Sequence, residues 1–218
     1  MMLRLGALRS LVVLAPHPDD ETIGAFGLMA LLRRRGVAVR VVVVSDGRGS
    51  HPGSPTWAGE RLIRERRCET RRAVSRVGVC AGDVTFLNFP DGHLHTATKP
   101  MNAAIAGILR RTPKPALVAG PVADDDHSDH RAVAAAMAGA RMAGVRSIGF
   151  CVWPAGTRLR HARALPLGAA QRLAKRRAIL SYRTQAGGIT DDPAGFTMTR
   201  KQVAAFSRPF EMFLEHAR

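Results

Sequence analysis

Short apolar runs alternate along this chain with longer stretches of mixed polarity. Residues 11–14 (Leu-Val-Val-Leu) are apolar without a break and predict a first strand. Residues 21–35 then place Ile23, Phe26, Ala30 and Leu31 near a helical repeat, with Gly36 as the stop. Residues 37–45 ("VAVRVVVVS") are apolar on both faces, as in a buried parallel strand. Gly, Pro and Ser make 46–58 a loop, and 59–77 reads as a charged helix. Further strands are expected at 84–89, 116–120 and 147–153 and further helices at 100–111, 131–143 and 167–182, with a strand-and-helix cap over 189–218. No internal repeat, low-complexity segment or linker breaks this order.

Strand-helix alternation over 218 residues predicts one α/β domain spanning 1–218. The expected architecture is a Rossmann-like three-layer sandwich with a mainly parallel sheet. Ligands of such folds bind beyond the carboxyl ends of the strands. Two ionisable clusters fall at such ends. "LAPHPDDE" (14–21) brings His17, Asp19, Asp20 and Glu21 directly after the first strand, and "PVADDDHSDH" (121–130) brings Asp124, Asp125, Asp126, His127, Asp129 and His130 after the fourth.

Imidazole and carboxylate together suit a borderline divalent ion such as Zn²⁺. His17, Asp20 and one histidine of the second cluster would supply two nitrogens and one oxygen. Asp19, between two ligands of a tight turn, must point elsewhere and could face a metal-bound water as general base. A plainer reading competes: carboxylates before a helix satisfy its free N–H groups and its dipole, a role that fits Glu21 well. Two clusters at two strand ends favour chemistry over capping.

Charge adds a second question. The formal net charge is +16, from 33 basic and 17 acidic residues, and only Lys99, Lys114, Lys175 and Lys201 of the basic set are lysines. Such a field attracts anions. Aromatic residues are only 5%, and no helix-turn-helix or zinc-finger spacing occurs, so no specific nucleic acid is expected. A substrate carrying an anionic group remains a candidate. Cys68, Cys80 and Cys151 are odd in number and widely spaced, which points to a reducing cytoplasm rather than a disulfide framework. No apolar run reaches the ~20 residues of a membrane helix, and the N-terminal stretch reads as a strand of the fold rather than a signal peptide. A homo-oligomer is left open.

At these residues the sequence resembles the PIG-L / LmbE-like family of metal-dependent N-deacetylases. The resemblance is carried by "APHPDDETIGAFG" (15–27), "SDG" (45–47), "RRCETRRAVSRVGV" (66–79), "FLNFPDG" (86–92), "DDHSDH" (125–130) and "KRRAILSYRTQ" (175–185). It implies His17, Asp20 and His130 as ligands of Zn²⁺, with Fe²⁺ or another divalent transition metal as alternatives. It further implies Asp19 as general base, His127 as acid or oxyanion stabiliser, and Arg66 and Asp91 as substrate-binding groups. The implied reaction is hydrolysis of an N-acyl group, usually acetyl, from an amino sugar. Pro16 replaces a commoner Ala, Gly24-Ala25-Phe26-Gly27 replaces a glycine-rich tail, and the only tyrosine, Tyr182, is far from the second cluster in sequence.

Other residues are weighed on their own. His51, on the long loop, is a candidate for substrate contact. Asp46 is a turn residue unless it orients a ligand histidine from behind, and Asp129 is placed in that same supporting role. His93 and His95 read as loop surface, and Trp57 and Trp153 as packing. Rival functions are an amidase of the same family acting on a thiol conjugate, an antibiotic or a lipid-linked glycan, a basic nucleic-acid-binding protein without turnover, and a metal-binding protein that turns nothing over.

Overall fold

The computed structural model of the protein describes residues 1–57 and 59–215. Ala58, which ends the expected loop, and 216–218, which end the expected tail, lie outside the described residues. The chain runs β1 (Ser10–Ala15), α1 (Asp20–Arg34), β2 (Ala38–Ser45), α2 (Glu60–Ser75), β3 (Val84–Phe89), α3 (Thr98–Arg111), β4 (Ala116–Pro121) and α4 (Ser128–Gly139). It continues through β5 (Val145–Phe150), β6 (Arg163–Pro166), α5 (Ala169–Leu180), α6 (Arg200–Phe206) and β7 (Phe210–Glu215). The seven strands form one sheet in the order β3-β2-β1-β4-β5-β7-β6. Strands β1 to β5 pair in parallel, and β7 runs antiparallel to both β5 and β6.

Alternation along the central strands fills both sides of the sheet. Leu11, Val13 and Ala15 enter one core with residues of α1, α2, α5 and α6, while Val12 and Leu14 enter a second with α3 and α4. That is why β1 and β4 are buried throughout and read as unbroken apolar runs. Successive strands step outward from β1 through β2 to β3 on one side and from β4 to β5 on the other. The reversal between β1 and β4 opens a crevice beyond their carboxyl ends, the position where open α/β sheets bind ligands. Both ionisable clusters emerge there.

Several boundaries differ from the sequence reading. The fourth helix begins at Ser128 rather than 131, because the His127 ring Nδ1 accepts the Asp129 N–H and caps it. Asp129 and His130 therefore lie in its first turn. β5 stops at Phe150, short of 153, since the Val152 and Trp153 N–H groups donate to Asp125 Oδ2 at 2.9 and 3.0 Å and leave the ladder. β6 lies outside the expected elements; its four residues pair with β7 on one side and, at Ala164, with Met1–Leu3 on the other. The tail supplies α6 followed by β7.

Helix α1 is broken at Ala25, whose φ of −138° is not helical. Gly24 and Gly27 flank the break for want of space: a Cβ at Gly24 would overlap the Phe150 ring, and one at Gly27 would overlap Leu167. The freed Gly27 and Leu28 N–H groups donate to the Glu211 carboxylate at 2.7 and 3.0 Å.

One end of the sheet gathers basic side chains. Arg33, Arg34, Arg110 and Arg111 close α1 and α3, near Arg40 and Lys114, which lie at or just before the starts of strands. Cations at helix carboxyl ends complement the helix dipole. The carboxylates of Asp19, Asp20, Asp46, Asp91, Asp125 and Asp129 all follow strand carboxyl ends. Among the described residues, no helix is long and apolar enough to cross a membrane.

Candidate active site

The His-Pro-Asp-Asp turn is built by the chain leaving β1. The His17 N–H donates to Asp20 Oδ2 at 2.9 Å, so the first and last residues of the turn hold each other. Asp19 adopts φ 136°, a region rarely used by residues with a side chain, while its carbonyl accepts the Thr22 and Ile23 N–H groups. Its own N–H donates to Glu21 Oε2 at 3.1 Å. Glu21 is fixed in turn by the buried Tyr182 hydroxyl, which donates to its Oε1. The strained backbone gives Asp19 a direction different from that of Asp20.

Three donor atoms meet at the crevice. His17 Nδ1, His130 Nε2 and Asp20 Oδ2 lie 3.2 Å from one another on every side of the triangle. Ligands of a tetrahedral Zn²⁺ with bonds of about 2.0 Å are about 3.3 Å apart, so the triangle matches one face of such a site. Each imidazole is held from behind. Asp91 Oδ1 and Asp129 Oδ2 lie 3.1 and 3.2 Å from His17 Nε2. Asp125 Oδ1 faces His130 Nδ1 at 3.3 Å. The Asp129 carboxylate favours the ring proton on His17 Nε2 and leaves Nδ1 as a lone pair, while His130 Nδ1 faces Asp125 by charge without a hydrogen bond.

The triangle opens on a cleft of about 850 Å³ whose wall includes Asp19, Arg66, His127 and Trp153. Arg66 is buried and donates to the Gly47 and Pro18 carbonyls, each at 2.8 Å, tying the loop after β2 to the His17 turn. Its guanidinium lies 3.6 Å from Asp19 Oδ2. The His127 ring stands edge-on to His17 with centroids 4.7 Å apart.

A family model described as PIG-L: GlcNAc-PI de-N-acetylase matches residues 12–140. The chain belongs to the PIG-L family. The matched segment runs from β1 to the end of α4 and holds both clusters that form the triangle. Over 102 residues the chain is 26% identical to the uncharacterized deacetylase YaiS of Escherichia coli K12, covering 47% of this chain and 49% of that one, so the match spans about half of this relative. Among solved structures, the N,N'-diacetylchitobiose deacetylase of Pyrococcus horikoshii aligns with a TM-score of 0.74 at 19% identity, over 96% of this chain and 84% of that one. The zinc-inhibited form of the teicoplanin deacetylase Orf2 aligns with a TM-score of 0.66 at 21% identity, over 81% and 85%. At these identities the likeness is one of fold.

Within this PIG-L fold the electrostatics of the crevice call for positive charge. Burial opposes protonation of His17, yet the carboxylates of Asp129, Asp20 and Asp91 raise its pKa well above the ordinary value. Burial likewise opposes His130, which Asp20 and Asp125 nonetheless push up to about 9. Burial would raise Asp20, but His130 and His17 hold it well below the usual carboxylate range. A divalent cation held at the triangle would supply the charge that these carboxylates draw from protons in its place. Asp19 is different: burial raises its pKa well above normal, against the pull of Arg66. The His127 pKa is lowered by burial and by the charge of His17 and His130.

The remaining candidates separate by placement. Asp91 sits against His17 and also accepts the Gly49 N–H at 2.8 Å, which makes it a brace of the PIG-L crevice as well as part of its wall. Asp129 also accepts the Gly92 and Leu94 N–H groups, at 2.8 and 3.0 Å. Asp46 is not brought to a histidine; its carboxylate accepts from the Arg48 N–H and Nε at 3.1 and 2.7 Å. His51 is 1% exposed and packs behind the wall against Gly195, with Nδ1 3.1 Å from Ser50 Oγ. His93 belongs to the cleft wall, and Trp153 both packs and lines the cleft. Asp125 behind His130 was not singled out, because nothing in a run of three aspartates tells which one turns inward.

Proposed function

We propose that this protein is a metal-dependent N-deacetylase acting on an N-acylated amino sugar. The observation that carries the reading is the triangle of His17 Nδ1, Asp20 Oδ2 and His130 Nε2, with the Asp19 carboxylate beside it on the cleft wall. The overall step is addition of water to the amide carbonyl and cleavage of the C–N bond, giving a free amine and a carboxylate.

A divalent ion held by His17, Asp20 and His130, Zn²⁺ or Fe²⁺, supplies Lewis acidity and a water of lowered pKa. Asp19 takes the proton of the attacking water and passes it to the departing amine. The Arg66 guanidinium, 3.6 Å from Asp19 Oδ2, favours the ionised carboxylate that a base requires. Because His127 Nδ1 accepts the Asp129 N–H, its ring proton sits on Nε2, from which it can donate to the oxygen that gains negative charge. Asp91, Asp125 and Asp129 position the ligand imidazoles. Arg66 positions Asp19 and the two loops it joins. Free thiols at Cys68, Cys80 and Cys151 suit a reducing cytoplasm.

The test is metal stoichiometry combined with amine release from N-acetylglucosamine glycosides. Protein stripped with a chelator should release no amine, and one equivalent of Zn²⁺ or Fe²⁺ should restore release. Full activity in the stripped protein, or no amine from the loaded one, overturns the reading.

A further inference from the structure

The cleft does not share the charge of the molecule around it. The chain carries a formal +16, yet Asp19, Asp20, Asp91 and Asp126 line the cleft against a single arginine, Arg66. Two nitrogens of that guanidinium are already committed to the Gly47 and Pro18 carbonyls. A bound divalent cation does not reverse the balance. An anionic substrate group would meet these carboxylates, and the nearby Arg131 and Arg48 are already engaged, Arg131 by the Asp125 and Asp126 carbonyls and Arg48 by the Asp46 carboxylate.

Part of the cleft wall is apolar. Trp153, Pro154, Ala155, Phe196 and Met198 form a shelf continuous with the triangle's cleft. These residues lie beyond 12–140, the segment that the family model matches. The shelf is set in place before any ligand arrives. Asp125, which faces His130, holds the Val152–Trp153 turn through both backbone N–H groups. The Phe196 N–H donates to the Ser50 carbonyl at 2.8 Å and the Met198 N–H to the Gln185 carbonyl at 2.7 Å. The Trp153 ring meets Phe196 and Phe206 edge-on, with centroids 5.9 and 5.6 Å away. A rigid apolar wall loses little entropy on binding an apolar partner.

We infer that the substrate is an amino sugar bearing an alkyl or aryl group that lies on the Trp153–Phe196–Met198 shelf, and bearing no anionic group. The inference rests on the amino-sugar reading above and adds the class of its substituent. The substituent can be attached at the acyl end or at the glycosidic end; the chemistry of the shelf is the same for both. Each methylene taken out of water is worth about a three- to fourfold gain in affinity.

The experiment uses the full chain loaded with metal and four probes, each below its micelle concentration. They are methyl N-acetylglucosaminide, octyl N-acetylglucosaminide, methyl N-octanoylglucosaminide and N-acetylglucosamine 1-phosphate. Affinity is measured by calorimetry on metal-loaded Asp19→Asn, and amine release on the wild type. At least one octyl probe should bind ten times more tightly than the methyl parent or better, and which one does so assigns the shelf to aglycone or acyl chain. The phosphate should bind no more tightly than the parent. Phe196→Ser and Met198→Ser should each cut the octyl-to-methyl ratio at least fivefold. Equal affinities for all three neutral probes, a preference for the phosphate, or a ratio that survives both substitutions overturns the inference. Tight octyl binding with no amine released defeats the deacetylase reading and leaves the apolar subsite standing; amine release with equal affinities does the opposite.

Discussion

Lys175 and Glu211 form an ion pair of 2.8 Å, with each side chain only 2% exposed. The pair repairs the break in α1. Glu211 accepts the Gly27 and Leu28 N–H groups, and Lys175 Nζ donates to the Ile23 carbonyl at 2.7 Å. Lys175 thus holds the segment before the break, which starts at Asp20, and Glu211 the segment after it. Residues from α5 and β7, remote in sequence from the His17–Asp20 turn, therefore join the two halves of the helix that follows it.

Glu211→Ala should therefore be costly. It leaves a buried ammonium and two helix N–H groups without their carboxylate, and breaking a buried pair costs about 3–5 kcal/mol. Urea unfolding of the variant should show a loss of that size. A midpoint equal to that of the wild type would mean that the pair does not hold the break.

Asp19→Asn keeps the volume of the side chain and removes its basicity. Metal content should stay at the wild-type level, because His17, Asp20 and His130 are untouched, while amine release falls by about 10²–10⁴-fold. Elemental analysis alongside the amine assay checks both halves. Turnover near the wild-type rate would remove Asp19 from the mechanism.

Asp125→Asn acts on the ligand through its support. Without the full carboxylate opposite His130 Nδ1, metal affinity should drop by about 10–100-fold, the usual effect of losing such a partner. Competition with a chromogenic chelator measures it. Asp46→Asn, which alters a carboxylate bonded to Arg48, should leave metal affinity as it was.

Removing metal should lower stability as well as activity. The crevice then keeps its carboxylates without the cation they would share. Addition of Zn²⁺ at a hundred times its dissociation constant should stabilise the fold by about 2.7 kcal/mol, visible as a rise in Tm. A Tm indifferent to added metal would argue against a site preformed in the native state.

Cysteine labelling gives a test by pH. Burial pushes the Cys151 thiol up to about 12, helped by the charge of Asp125 and Asp124. The raised value favours the neutral thiol, so at pH 8 Cys151 holds roughly a thousandfold less thiolate than a free cysteine with pKa near 8.5. Cys80 is exposed. Iodoacetamide should modify Cys80 first and Cys151 last, with Cys151 gaining reactivity as the pH rises, as read by peptide mass mapping. Equal rates at pH 8 would contradict this placement.

Much of the architecture is legible because the central strands are covered on both faces. Runs such as Leu11–Leu14 and Val41–Val44 have no polar alternative. The meeting of the two clusters is legible too, since strands that diverge from a common centre deliver their following residues to one crevice. Other features depend on contacts that no local pattern encodes. Arg163–Pro166 is a strand because β7 and the N-terminal residues 1–3, both remote in sequence, lie beside it. Asp46 could have reached a histidine, but the Arg48 guanidinium two residues away claims it. Asp125 differs from Asp124 and Asp126 only in the way the chain turns after β4. The ends of α1 are readable, whereas its broken middle requires knowing that Phe150 and Leu167 press on Gly24 and Gly27.

The crevice carboxylates follow strand exits, while Arg33, Arg34, Arg110 and Arg111 close helices at the far end of the sheet with no crevice carboxylate beside them. Near a sulfonated bead or another negatively charged solid it should settle on its arginine-bearing end. Protein immobilised in that way would keep its opening turned toward the solution and free to exchange small molecules.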